Sequence, residues 1–414
     1  YETELTNLSL FLATEQEEPE KGDYESTLID LVKYRKEKVI AQGGTANIRN
    51  IFEKETNKLY IAKEYLYNKL EYLFKREVET NYKVNGHPCF VEYIGYSLLG
   101  FNLQRTKKKK YPVIVLKYYS NGSLAQVLKL ENDDQPMIGW NGTKKLINIY
   151  GIAFGMAYLH SIGFIHRDLK PGNVLLDGAF LPKICDFTTS KSCGEKINDT
   201  VQQTTAYIMA PEAIEGNNDL QASDVYSFAI VMYEIVTGDD PYGDSSMYSI
   251  IQKVMDGERP AFKTQIPDCY RRLIEKCWSQ KPEDRPTFNQ IVTELRTNRE
   301  FITDEIDEDE YFHYIEYLDD PENVEYDFET FTKLKQNKSI SVNLEPINLS
   351  KFKKIKGRIG KGSFGKVYKV IENLTKEICA CKISIQEIND CEDSEIMNIE
   401  RELNVISQLD CPTI

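Results

Sequence analysis

The chain has 414 residues, with 51 Lys and Arg against 65 Asp and Glu for a formal net charge of −14, so a single small module is excluded and two or three domains of roughly 150 residues fit the length. A hydrophobic fraction of 41% supplies a sizeable core and excludes a collagen-like or wholly disordered chain. No apolar run reaches the ~18 residues of a bilayer span, so no membrane insertion is expected. Nine cysteines without a regular framework fit a reducing, cytoplasmic setting. The four histidines cannot build a zinc site at the usual spacings. The chain opens on Tyr1 and is expected to be a piece of a longer protein, which leaves a signal peptide open.

In chain order, residues 1–32 form an N-terminal segment. Thr3, Leu5, Phe11 and Glu15 echo Thr293, Leu295, Phe301 and Glu305, which reads equally as the tail of an upstream repeat or as a generic helix end. Val39 to Ala41 and Ile48 to Phe52 are predicted strands around Gln42-Gly43-Gly44-Thr45, and Leu59 to Lys63 a third strand ending in a lysine. A helix from about Lys69 carries Glu77. Lys107 to Lys110 fit an exposed hairpin cap, and without a wider basic field they do not point to nucleic acid. A helix from Gly142 to His160 places Leu146, Ile149, Ala153 and Met156 on a core stripe, with His160 packing beside it. There follow His166-Arg167-Asp168-Leu169-Lys170-Pro171-Gly172-Asn173, two short strands, Asp186-Phe187-Thr188 and Ala210-Pro211-Glu212.

Residues 304–330 hold thirteen Asp or Glu and no Lys or Arg, which leaves a net charge of −1 for the rest of the chain. The plain reading of 301–348 is a solvated acidic linker. The interleaved Tyr311, Phe312, Tyr314 and Tyr317 give the alternative, a segment that docks on a neighbouring domain. Beyond it, from 349, the chain repeats itself. Ile359-Gly360-Lys361-Gly362-Ser363-Phe364-Gly365-Lys366-Val367-Tyr368 is a complete glycine loop, followed by Cys379-Ala380-Cys381-Lys382, and Lys382 lies as far beyond Lys63 as Gly362 lies beyond Gly43. Val367 follows Lys366 where a P-loop needs Ser or Thr, and apolar strand-like residues follow the glycines where a dinucleotide fold needs a helix.

Residues 33–300 resemble the eukaryotic protein kinase superfamily, on the catalytic-loop, magnesium and Ala-Pro-Glu motifs in that order. Gly122-Ser123-Leu124, Ser223 to Phe228 and Cys277-Trp278 with Arg285 to Phe288 resemble its tyrosine-kinase-like branch. The resemblance implies an α+β, bilobal fold with a β-rich N-lobe and a helical C-lobe, ATP and Mg2+ as cofactors, and protein substrates. It implies Lys63 on the nucleotide phosphates, braced by Glu77. Asp168 would orient the acceptor hydroxyl and take its proton, Lys170 would steady the γ-phosphate, and Asn173 and Asp186 would hold magnesium. Gly43, Ala46, Ile48, Ala62, Leu116, Tyr118, Ser123 and Leu175 would line the nucleotide cleft. Lys170, with Thr205 ahead of Tyr207, resembles serine/threonine rather than tyrosine kinases. Glu212 with Arg285, and Asp224 beneath the catalytic loop, would be structural, while Thr200 and Thr204 are candidate phosphosites for Arg167 to receive. In the second unit, residues 349–414, the same resemblance assigns Gly360, Gly362, Gly365, Val367, Lys382 and Glu402 to phosphate binding. That unit ends before any catalytic loop.

Three departures matter. Ala41 and Ala46 stand where glycines are usual, which costs ~1 to 2 kcal/mol if a left-handed backbone is demanded and little if only crowding is at stake. Thr188 replaces the last glycine of the magnesium motif and stiffens the start of the activation segment. Asn81 occupies a position usually apolar. Two functions therefore stand at this point: a serine/threonine kinase in a tandem array, or a nucleotide-binding pseudokinase that scaffolds partners.

Overall fold

The computed structural model describes residues 23–66, 71–98, 100–101, 111–192, 206–216, 220–320, 352–361, 365–372 and 378–384. They fall in two compact units, Tyr1–Phe328 and Glu329–Ile414.

The first unit begins with strands β1 (Tyr34–Gln42), β2 (Ala46–Glu53) and β3 (Leu59–Tyr65), helix α1 (Glu71–Val84), and strands β4 (Tyr93–Ser97) and β5 (Val113–Lys117). The strands make one antiparallel sheet in the order β1-β2-β3-β5-β4. Both faces of β5 are covered, and its period of two divides the load: Ile114 and Leu116 join Phe74 and Val78 of α1, while Val113 and Val115 join Ile51, Tyr60 and Ala62. β1 is the edge, and past Tyr34 it is exposed; its charges and register shifts suit an unpaired edge. Part of the segment expected to precede the domain belongs to it. Ile29 N–H donates to the Tyr96 carbonyl at 2.8 Å, and Thr27 and Tyr93 hydroxyls meet at 2.8 Å. Position 95 must be glycine, because a Cβ there would lie 2.5 Å from the Thr27 carbonyl oxygen in a backbone of φ +155°.

The helical part follows: α2 (Leu124–Asn132), α3 (Gly142–Ser161), the short strands β6 (Phe164–Ile165), β7 (Val174–Leu176), β8 (Pro182–Ile184) and β9 (Lys191–Ser192), then α4 (Pro211–Ile214), α5 (Gln221–Thr237), α6 (Met247–Met255), α7 (Asp268–Cys277), α8 (Phe288–Thr297) and α9 (Glu308–Asp319). Ser123 closes a capping box with Gln126 at the start of α2, and Asn141 caps α3. α3 and α5 are buried almost all round, as their continuous apolar sequences require, and together with α7, α8 and α9 they form one core. The predicted stripe Leu146, Ile149, Ala153 and Met156 is fully buried within it. An α+β bilobal arrangement results.

The linker reading from 301 is corrected over α9. Tyr311, Tyr314, Ile315 and Leu318, at helical spacing, are buried against the α3–α8 core. Tyr311 donates to the Leu295 carbonyl at 3.1 Å and meets Tyr150 edge-on at 5.8 Å, while Glu310 forms a buried 2.6 Å ion pair with Lys144. Acidic residues dominate the composition, but apart from Glu310 those of the helix sit on the other face: Glu308, Asp309, Glu316 and Asp319 are exposed. The rest of the expected linker, from 321 to 348, and Lys107 to Lys110 lie outside the described residues.

The second unit is described as one antiparallel sheet of β10 (Phe352–Lys361), β11 (Gly365–Glu372) and β12 (Ile378–Ser384). Strand flanks its glycine loop on both sides. The β11–β12 register runs from Gly365↔Ser384 to Ile371↔Ile378, and the β2–β3 register runs from Ala46↔Tyr65 to Phe52↔Leu59, so each pair recurs at the offset that separates Lys63 from Lys382.

Candidate active site

Strand β3 carries Lys63 in the middle of the sheet, opposite Ile48 on one side and Ile114 on the other. Its ammonium is buried and donates to Glu77 Oε1 at 2.7 Å and Oε2 at 2.9 Å, to Asp186 Oδ1 at 2.7 Å and to Thr188 Oγ1 at 2.8 Å. Burial alone would lower the lysine pKa, but the carboxylates of Asp186 and Glu77 reverse the effect and hold it well above the usual value. Burial likewise opposes the charge on Asp186, and Lys63, together with the Thr188 hydroxyl, holds its carboxyl well below the ordinary range. Glu77 is fixed further by the Tyr65 hydroxyl, which donates to its Oε2. No sequence motif points to Tyr65, although a residue two beyond Lys63 on a strand must face the same way. Asn81 turns inward and its Nδ2 donates to the Glu77 carbonyl at 2.8 Å, so the polar residue in an apolar position ties the helix that carries Glu77.

The loop between β6 and β7 supplies the second group. Asp168 Oδ2 accepts from Lys170 Nζ at 2.7 Å and from Asn173 Nδ2 at 2.9 Å, while Asp168 Oδ1 is buried with no partner among the described residues. Asp224 on α5 holds the loop from beneath, accepting from the backbone N–H of His166 and of Arg167 at 2.8 Å each. That grip retains Arg167 at φ 70°, a left-handed conformation that costs ~1 to 2 kcal/mol for a residue with a Cβ. His160 is not simply a packing residue: its Nε2 lies 2.8 Å from Asp224 Oδ2. Burial would raise the Asp224 pKa, yet the His160 bond and the backbone N–H of His166 bring it below the carboxylate norm.

The two groups meet at the β7–β8 ladder. Cys185 N–H donates to the Asn173 carbonyl at 2.9 Å, and His166 Nε2 lies 3.2 Å from the Cys185 carbonyl, which makes that nitrogen the donor. Asp186 follows at φ 67°. Phe187 is buried next to His166 and Phe90 and anchors the turn. Cys185 is half-buried, and the desolvation of its thiol pushes its pKa up, as befits a small hydrophobe. Farther off, Arg285 clasps Glu212 at 2.6 and 2.8 Å in a bidentate pair, steadied by Ser223.

Of the expected cleft residues, Ala62 and Leu116 are buried in the sheet, Ile48 and Leu175 are half-buried, and Ser123 bridges to Leu175 at the start of α2. Tyr118 is 38% exposed beside them. Gly43 closes the β1–β2 turn, its N–H donating to the Ala46 carbonyl at 2.9 Å. Ala41 and Ala46 both have negative φ, so neither substitution strains the backbone and only crowding is left of the expected penalty. Gly360, Gly365, Val367 and Lys382 belong to the other unit. Gly362, Glu402, Thr200 and Thr204 lie outside the described residues.

The donors suit magnesium. Asn173 donates through Nδ2 and Asp186 accepts through Oδ1, which leaves Asn173 Oδ1 and Asp186 Oδ2 as hard oxygens for a metal, while Asp168 Oδ1 stays apart from them as an unpartnered acceptor. Among the described residues there is no cluster of three or more His, Cys, Asp or Glu able to cage a metal alone. An incomplete oxygen set is what Mg2+ takes when water and substrate phosphates complete its octahedron.

A two-lobed fold with a buried lysine–glutamate pair and two aspartates at its junction defines a protein kinase domain. Residues 49–295, more than half of the chain, match the protein tyrosine and serine/threonine kinase family. The chain belongs to that family. It is 33% identical over 269 residues, 64% of its length, to a Probable LIM domain-containing serine/threonine-protein kinase of Dictyostelium discoideum, of which it covers 39%. Over 180 residues, 44% of its length, it is 39% identical to RGS domain-containing serine/threonine-protein kinase A of the same organism, covering 16% of that protein. A third relative there, Dual specificity protein kinase pyk3, is 30% identical over 270 residues, 64% of this chain and 19% of the relative. The chain thus spans two fifths or less of the length of these relatives. No described helix is long and apolar enough to cross a membrane.

Proposed function

We propose that the first unit is an ATP-dependent serine/threonine protein kinase acting on protein substrates. The observation that carries this reading is the bonding of one buried ammonium, Lys63, to both Glu77 and Asp186, which sets the phosphate-binding lysine and the metal-binding aspartate in one assembled group. A pseudokinase scaffold would have no need to keep this group together with Asp168, Lys170 and Asn173.

In this reading Lys63, held by Glu77, orients the nucleotide's phosphates across the cleft walled by Ala62, Leu116 and Leu175, with Gly43 and Ile48 above. Asp168 receives the acceptor hydroxyl and takes its proton on Oδ1, the oxygen that its neighbours leave open. Lys170 balances that carboxylate and reaches toward the γ-phosphate, so charge is neutralised where it develops. Magnesium held by Asn173 and Asp186 would neutralise the phosphate oxygens. Lysine at 170 and the names of the two relatives called serine/threonine-protein kinases favour Ser and Thr as acceptors.

The finer parts of the reading rest on separate support. The tyrosine-kinase-like branch rests on the motifs at 122–124, 223–228 and 277–288. A second kinase domain beginning near 349 rests on its glycine loop and on the strand register that repeats the first domain's at a constant offset. We place the first domain at about 23–320, since residues 27–31 bond to and pack on its sheet and α9 shares its core. The free thiols Cys89, Cys185, Cys269 and Cys277 accord with a reducing, cytoplasmic setting.

The test is phosphotransfer from magnesium ATP to a generic Ser/Thr protein substrate. Asp168→Asn is expected to lower the rate by about 10²- to 10⁴-fold and to leave ATP affinity within about threefold. Turnover undiminished in this variant overturns the assignment, and transfer to tyrosine alone overturns the choice of acceptor.

A further inference from the structure

Resting on the kinase reading, we propose that Thr188 is a positioning residue whose hydroxyl holds the metal-binding aspartate, Asp186, to the Lys63–Glu77 pair. The residue stands where a glycine would leave no side chain at all. It is 6% exposed, and its Oγ1 lies 2.8 Å from Lys63 Nζ, 2.6 Å from Asp186 Oδ1 and 2.9 Å from Glu77 Oε2.

Counting protons decides what each contact is. Lys63 has three N–H donors and directs them to Glu77, Asp186 and Thr188, so Thr188 Oγ1 accepts from lysine and keeps its single proton to donate. Two acceptors compete for it. Glu77 Oε2 already receives both Tyr65 and Lys63, and lies farther away, so the proton goes to Asp186 Oδ1. Asp186 therefore has two donors on one oxygen. Its side chain keeps 38% of its surface open, and no hydrogen bond falls on Oδ2 among the described residues. A carboxylate pinned through Oδ1 with Oδ2 left over is set to ligate.

The second donor has a consequence for the catalytic cycle. When a nucleotide draws Lys63 toward its phosphates, a glycine at 188 would leave Asp186 with no donor from this group. The Thr188 hydroxyl keeps its hold, and because it also lies against Glu77, 111 positions away in sequence, it links the start of the activation segment to α1. A charge-assisted bond of this kind is worth enough to change metal affinity by about tenfold or more.

The experiment compares the full chain with Thr188→Val, which keeps the shape and removes the hydroxyl, and Thr188→Ser, which keeps the hydroxyl. ADP affinity is measured by calorimetry with and without Mg2+, alongside the Mg2+ concentration for half-maximal phosphotransfer, with thermal melting to establish that each variant folds. In Thr188→Val, metal-free ADP affinity stays within about twofold, while the gain conferred by Mg2+ falls about tenfold and the half-maximal Mg2+ rises to match; Thr188→Ser stays within about twofold of wild type throughout. A Thr188→Val protein with the full Mg2+ gain, or a Thr188→Ser protein as impaired as the valine variant, overturns the role of the hydroxyl while the kinase reading stands. A wild type with neither Mg2+-dependent ADP binding nor phosphotransfer overturns both.

Discussion

Residues 46–65 and 365–384 are two hairpins with one register and different roofs. Every β2–β3 pair recurs in β11–β12 at one constant offset, yet the first hairpin enters through Ala41-Gln42-Gly43-Gly44-Thr45-Ala46 and the second through Gly360-Lys361-Gly362-Ser363-Phe364-Gly365. Strand pairing is thus indifferent to the glycines. What the register secures is the lysine: Ile48 pairs with Lys63, and Val367 with Lys382, in the same frame. In the proposed reading, a lysine on a strand acts on a nucleotide only when a carboxylate and an aspartate are brought to it from elsewhere; the partner expected for Lys382, Glu402, lies outside the described residues. In the first unit Glu77 and Asp186 arrive from α1 and from the turn after β8.

The sharpest test of the first lysine's role is Lys63→Met, which removes the ammonium and leaves the buried Glu77 and the partly open Asp186 facing each other as like charges. Phosphotransfer is expected to drop by about 10²-fold or more, in kcat more than in KM for the protein substrate. A chain that retains its rate would make the first lysine as dispensable as its arrangement denies.

A smaller effect marks where the first unit ends. A chain stopped after residue 300 loses α9, which strips the core of Tyr311, Tyr314, Ile315 and Leu318 and takes Glu310 away from the buried Lys144. Relative to a chain stopped after Phe328, its unfolding free energy in urea should fall on the order of 5 kcal/mol, from lost apolar burial and a broken buried ion pair. Equal urea midpoints for the two would return α9 to the status of a linker.

The smallest effect comes from converting one roof into the other. Ala41→Gly with Ala46→Gly brings the first loop toward the second, and because both alanines already have negative φ, no backbone strain is relieved. ATP affinity should rise only about two- to fivefold, by relief of crowding at the phosphates, with some loss of stability since glycine is the more flexible in the unfolded chain. A hundredfold gain in titrations with ATP would mean that the turn rearranges on binding.

Much of this protein is legible in the chain itself, wherever chemistry and local geometry coincide in a few adjacent residues. His166 to Asn173 carries its loop within eight positions, Asp186-Phe187 its anchored turn, and the α3 stripe its own periodicity. The internal repeat is countable from its glycines and lysines and reappears as a strand register. What stays hidden depends on groups far apart in the chain. Net acidity conceals the apolar face of 311–318, since composition averages over directions that a helix separates. His160 looks like packing because its partner, Asp224, lies 64 positions on. Thr188 reads as a stiffened hinge, and only the tertiary structure lays its hydroxyl against Lys63 and Glu77, 125 and 111 positions away. The chain order sets which side chains exist and which way each faces on its own strand or helix, whereas a hydrogen bond across the interior is decided by where whole elements pack, a global balance that no short stretch of sequence encodes.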